Sequence, residues 1–108
     1  MAKSAPADIP VPTLVEERLR SWGMCVRKQR IAQRIRADDL CARLAISRPT
    51  LLRLERGETT VSVAAYLTAL HVLGALEQAA PALAPALWQM ETAHGRARPT
   101  RGDDNDYF

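Results

Sequence analysis

Apolar residues return at steps of three and four along most of the chain, and no stretch of useful length alternates apolar with polar positions. That period belongs to helices with one buried face. Val15, Leu19, Trp22 and Val26 form the first stripe. Thr13 and Glu16 make a Thr-x-x-Glu capping box ahead of it, which predicts a helix from residue 13 to about residue 33. Leu40, Cys41 and Leu44 line one face of a second helix, predicted over 37–44. Asp38 and Asp39 fall in its first turn, where the helix dipole favours acids. Residues 45–47 (Ala-Ile-Ser) break the pattern, and Ser47 is a good N-cap for a third helix to about residue 56. Pro49 falls in its first turn, where a missing N–H costs little. Thr50, Leu51 and Leu54 make its inward stripe, and Gly57 stops it.

Ser62 caps a fourth helix, predicted over 63–73, with Tyr66, Leu67, Leu70 and Leu73 on one face. Residues 59–63 (Thr-Thr-Val-Ser-Val) read as a loop plus that cap. Gly74 closes the helix and a short fifth one follows over 75–80. Pro81 and Pro85 then interrupt an apolar piece, with a last helix expected from residue 85 to about residue 92. Residues 1–12 hold Pro6, Pro10 and Pro12 and read as a flexible arm, and residues 93–108 as a disordered tail, basic then acidic. The expectation is an all-α chain of four to five helices with disordered termini. Its body is 13–80, and an apolar segment at 81–92 completes the core or joins two copies.

The chain has 108 residues, enough for one domain with a modest core. No apolar run approaches a membrane span, and residues 1–12 lack the apolar stretch of a secretory signal, so a cytoplasmic location is expected. Cys25 and Cys41 have neither the spacing nor the companions of a disulfide framework or metal site, and His71 and His94 complete no zinc pattern. They read as buried or half-buried thiols. Charge is uneven: residues 16–56 carry eleven Lys or Arg against five Asp or Glu, a net of +6 in a chain of net +3. A basic middle suggests a polyanionic partner, and nucleic acid is the simplest. The alternative is an Arg-rich solvated surface.

Two short helices joined by a tight break, the second capped by Ser and bearing outward arginines, is the layout of a helix-turn-helix. Such a helix fits the major groove, where residues near its N-terminus reach base edges, and the planar arginine fork bonds guanine O6 and N7 together. Arg48 stands in the first turn and Arg53 five residues on, a rotation of roughly 140°. The two flank the exposed strip while Leu51 and Leu54 hold the other side to the core.

Residues 19–76 resemble the Xre-type, lambda-repressor-like helix-turn-helix domains. Leu40-Cys41 followed by Leu44, Ile46, Ser47, Thr50, Leu54, Glu55 and Gly57 is spaced as in that family, with Gly23, Val26 and Arg30 in register before it. The resemblance implies a recognition helix over 47–56. It implies base contacts from Arg48, Pro49 and Arg53, with Ser47 and Thr50 in the same DNA-binding set, and phosphate contacts from Arg36, Arg56 and the region of Thr60. It also implies a structural ion bridge between Arg30 and Glu55. The chain departs from the family where the second helix opens: Arg36 and Ala37 replace the usual Ser or Thr followed by Gln, and the cap is lost. Arg34 stands where a Gly often ends the first helix.

Family members usually bind palindromic double-stranded DNA as homodimers. Leu76, Leu83, Leu87, Trp88 and Met90 offer apolar material for such an interface, or for completing the core. The function expected is a repressor acting on an operator. The chain is also similar in size and plan to the HipB-type antitoxins, which autoregulate their operon and bind a kinase-like toxin. The acidic tail suits a partner that orders it, or only solubilises the chain. A helical interaction module with an incidental basic face is a further alternative. Nothing supports an enzyme: the sequence has no nucleophile–base pair, phosphate loop or metal cluster, and no cofactor is implied.

Overall fold

The computed structural model describes residues 10–89. Among them are five α-helices and one 3-10 turn, with no strand. The helices are α1 (Thr13–Ala32), α2 (Ala37–Leu44), α3 (Arg48–Glu55), α4 (Val63–Val72) and α5 (Leu76–Ala79), and the 3-10 turn is Pro85–Leu87.

α1 starts differently from the sequence expectation. Its N-cap is Pro12, and Thr13 is already helical, so the capping box does not form. The Pro12 carbonyl instead accepts from the Val15 and Glu16 N–H groups at 3.0 and 3.1 Å. A proline supplies that carbonyl while having no N–H to satisfy. The α1 stripe is also narrower than expected. Val26 is fully buried and Leu19 and Trp22 lean on the core, but Val15 is 46% exposed. One turn beyond Leu19, no helix covers it.

Four helices end by the same device. After α1, the Arg34 N–H donates to the Ile31 carbonyl at 3.0 Å and the Ile35 N–H to the Arg30 carbonyl at 2.9 Å. This crossed pair is a Schellman motif, which needs a left-handed residue. Here that residue is Arg34, with φ 59°. The same pair closes α2 around Ala45 (φ 57°), α3 around Gly57 (φ 78°) and α4 around Gly74 (φ 79°).

α1 packs on α3 and α4, α2 packs on α3 and α4, and α5 packs on α4. The core lies among the first four: Val26 from α1, Leu40 and Cys41 from α2, Leu51 and Leu54 from α3, and Tyr66, Ala69 and Leu70 from α4. Val61, Leu73 and Ala75 seal the joints. Tyr66 is fully buried and donates its hydroxyl to the Glu58 carbonyl at 2.7 Å, which ties α4 to the loop after α3. Its ring lies 6.1 Å from that of Trp22. α1 is further tied to the C-terminal half by Gln33 Nε2 on the Leu73 carbonyl at 2.7 Å and Trp22 Nε1 on the Ala79 carbonyl at 3.4 Å.

The predicted helix from residue 85 is, within the described residues, only the 3-10 turn. Trp88 ends it with φ −139° and ψ −14°. Only three residues separate Pro81 from Pro85, and residues 81–89 are all exposed, so no packed face stabilises a longer helix. The expected arm up to residue 9, Met90 and the tail at 93–108 lie outside the described residues. No described helix is long and apolar enough to cross a membrane.

Candidate nucleic-acid interface

The sequence places the candidate site on α3, and α3 is fixed from both ends. Ser47 caps it: its Oγ accepts from the Thr50 N–H at 3.2 Å and donates to Thr50 Oγ1 at 3.0 Å. Thr50 is therefore half-buried at the edge of the helix and not in the inward stripe with Leu51 and Leu54. The Thr50 hydroxyl also accepts from Arg53 Nη2 at 3.3 Å, so the three side chains form a ladder along one side of α3. At the other end Glu55 meets Arg30 of α1 in a two-pronged pair, Nε to Oε2 at 2.8 Å and Nη2 to Oε1 at 3.3 Å. These side chains are 15% and 8% exposed. Arg30 Nη1 also donates to the Ile35 carbonyl at 3.3 Å. One guanidinium thus joins the end of α1, the loop before α2 and the end of α3.

With Leu51 and Leu54 buried, the opposite face of α3 points outward. Arg48, Pro49, Leu52, Arg53 and Arg56 are all exposed on it. Arg48 reaches across the break to Asp38 in the first turn of α2, Nη1 to Oδ1 at 2.8 Å. That hydrogen bond, and then the Asp38 charge, hold the Arg48 guanidinium further above its ordinary value. Arg56 Nη1 stands 3.8 Å from Glu58 Oε2, a loose and exposed pair. Arg36 is exposed at the mouth of α2, where it occupies the cap position with no side-chain bond to the helix, and Thr60 is exposed in the loop after α3. A shallow cleft of about 400 Å³ runs between α1 and the outer face of α3, with Arg27, Ala37, Arg48, Pro49, Leu52 and Glu55 in its walls.

Three of these residues escaped the sequence reading. Leu52 is 49% exposed between the arginines. Its signal was present, since at 100° per residue it stands about 200° from Leu54 and off the inward stripe. Arg27 beside the cleft carried no more than its helical spacing. Asp38 had no signal, because its partner lies ten residues away across a break whose angle the local pattern does not set.

Of the apolar residues expected at an interface, Leu76 leans on the protein's own core. Leu83, Leu87 and Trp88 are 62%, 69% and 56% exposed. Trp88 Nε1 donates to the Leu83 carbonyl at 3.5 Å, and all three side chains stand outside the core. Cys25 and Cys41 are free, and burial pushes the Cys41 thiol above its ordinary value. Among the described residues no cluster of His, Cys, Asp and Glu is placed to hold a metal. No family model, curated protein or solved structure matches the chain.

Proposed function

We propose that the chain is a sequence-specific DNA-binding transcriptional regulator that acts as a homodimer on an operator. In this reading α2, the break at 45–47 and α3 are a helix-turn-helix of the lambda-repressor-like type, and α3 enters the major groove. One observation carries the reading. A short helix, capped at its start and clamped at its end, presents two arginines and a leucine outward while its other face is locked in the core.

The chemistry of that face suits DNA. Arg48 in the first turn and Arg53 one and a half turns later present forks to guanine edges, and Leu52 between them offers apolar contact to a thymine methyl. Pro49 keeps the first turn stiff. Arg36 before α2 and Arg56 after α3 bracket the face with charge for phosphates, and Thr60 adds a hydroxyl. α3 has 8 residues and spans roughly 12 Å, enough for only a few base pairs. Two copies on a two-fold site double that reach. Leu83, Leu87 and Trp88 are the exposed apolar material for joining them, with Trp88 the natural anchor.

The test is fluorescence anisotropy on duplex DNA from immediately upstream of the protein's own gene, at several salt concentrations. The wild type is expected to bind it far more tightly than a shuffled duplex. Arg48→Ala/Arg53→Ala is expected to keep only weak, steeply salt-dependent binding. Equal binding of both duplexes by both proteins would remove the reading.

A further inference from the structure

We propose that Asp38 is a positioning residue for base recognition: from α2 it holds the Arg48 guanidinium of α3 so that its free edge meets one guanine. The inference rests on the DNA-binding reading and deepens it.

The pair has three properties that point this way. It bridges two helices, because Asp38 stands in the first turn of α2 and Arg48 is the first residue of α3. It lies on the outer surface, with side chains 61% and 62% exposed, so it adds little to folding. It is also one-pronged. Asp38 Oδ1 takes only Nη1, and among the described residues the Arg48 side chain makes no other hydrogen bond. A guanidinium has five N–H donors in a rigid plane. Binding Nη1 restrains the side chain and leaves the Nε–Nη2 edge, with its two parallel donors, for guanine O6 and N7. A free arginine would instead sample many rotamers and settle on any nearby phosphate.

An acid at this surface also has a cost that a merely decorative pair would not explain away. Asp38 repels phosphate, so it weakens binding to every sequence alike. Removing it is therefore expected to move affinity and discrimination in opposite directions. A purely structural role for Asp38 does not predict that split, since a loss of folded protein would lower affinity for every sequence and leave the ratio between sequences unchanged.

The experiment is selection from a randomised duplex pool by the full chain, with Arg48→Ala, Asp38→Asn and Asp38→Glu alongside. The wild type is expected to enrich a motif with one guanine that Arg48→Ala loses. A good bidentate contact discriminates by about 5- to 150-fold. Asp38→Asn, which keeps an acceptor but loses the charge, is expected to lower that ratio by up to about 5-fold at the same position and keep the rest of the motif. It should bind random duplex more tightly than the wild type, with a melting temperature lowered only slightly by the lost first-turn charge. Asp38→Glu should restore part of the preference. If Asp38→Asn selects the same guanine with the same or a sharper ratio, the inference is overturned while DNA reading by Arg48 stands. A wild type that enriches no motif overturns both.

Discussion

Gly23 of α1 and Gly57 after α3 lie backbone to backbone where the two helices cross. A methyl group added at Gly23 would sit 2.4 Å from the Leu54 carbonyl oxygen and 2.8 Å from the Gly57 nitrogen. One added at Gly57 would sit 2.4 Å from the Arg20 Cα. The crossing sets how far α3 stands from α1, and hence how the outward face of α3 is presented.

Gly23→Ala is therefore expected to destabilise the protein, although alanine is the better helix former by about 1 kcal/mol. Overpacking against backbone typically costs about 1–3 kcal/mol. Gly57→Ala should cost more, because its φ of 78° adds roughly 1–2 kcal/mol for a residue with a Cβ. Gly74→Ala is the control, with φ 79° but open space around it, and should show the backbone penalty alone. Thermal or urea unfolding of the three variants should rank them Gly57, Gly23, Gly74 in at least the first and last places. A Gly57→Ala variant as stable as Gly74→Ala would mean the crossing is looser than described.

Removing Glu55 strands Arg30, whose side chain is only 15% exposed. Breaking one side of such a pair typically costs about 3–5 kcal/mol. Glu55→Ala is expected to lower the melting temperature strongly while the folded fraction keeps its sequence preference, since Glu55 faces α1. An unchanged melting temperature would contradict this account of the clamp.

Arg34 and Ala45 pay a left-handed penalty that glycine escapes. The cost to an L-residue is about 1–2 kcal/mol, and glycine's extra freedom in the unfolded chain takes back about 0.5–1. Arg34→Gly and Ala45→Gly are each expected to stabilise the protein by about 0.5–1 kcal/mol. Both positions are exposed, so no packing is lost. Denaturant midpoints that fall instead would show that these side chains hold the turns in place.

Burial pushes the Tyr66 hydroxyl from the ordinary value of 10.0 up to about 12. The folded state thus keeps a proton that the unfolded chain gives up. That stability is fully present below about pH 10 and is lost as pH rises from there through about 12. Tyr66→Phe removes the titration and should flatten this limb of the stability curve. It also leaves the Glu58 carbonyl without its 2.7 Å partner, at about 1 kcal/mol near neutral pH. A limb equally steep in both proteins would assign the alkaline loss to other groups.

The short central elements were legible in the chain because their signals are local. α2 spans the predicted 37–44, and Ser47 and Ser62 cap the helices they precede. A hydroxyl three residues ahead of an apolar stripe needs no distant partner to do this. Two local signals misled. Thr13 offered a cap that Pro12 had already displaced, and residues 85–89, the described part of the helix expected over 85–92, are all exposed and form only a 3-10 turn.

By itself the sequence determined the helical class of the described residues, the Ser47 and Ser62 caps, the breaks and the buried Leu51 and Leu54 face of α3, since all follow from spacing within a turn or two. Only the tertiary structure decided what those helices bring together. Asp38 meets Arg48 across a break, and Gly23 admits the end of α3. Leu76 leans on the core while Leu83, Leu87 and Trp88 stay outside it. The contacts depend on an angle or distance between helices. Such angles are set by how all the buried side chains fill one volume, and no single segment contains them.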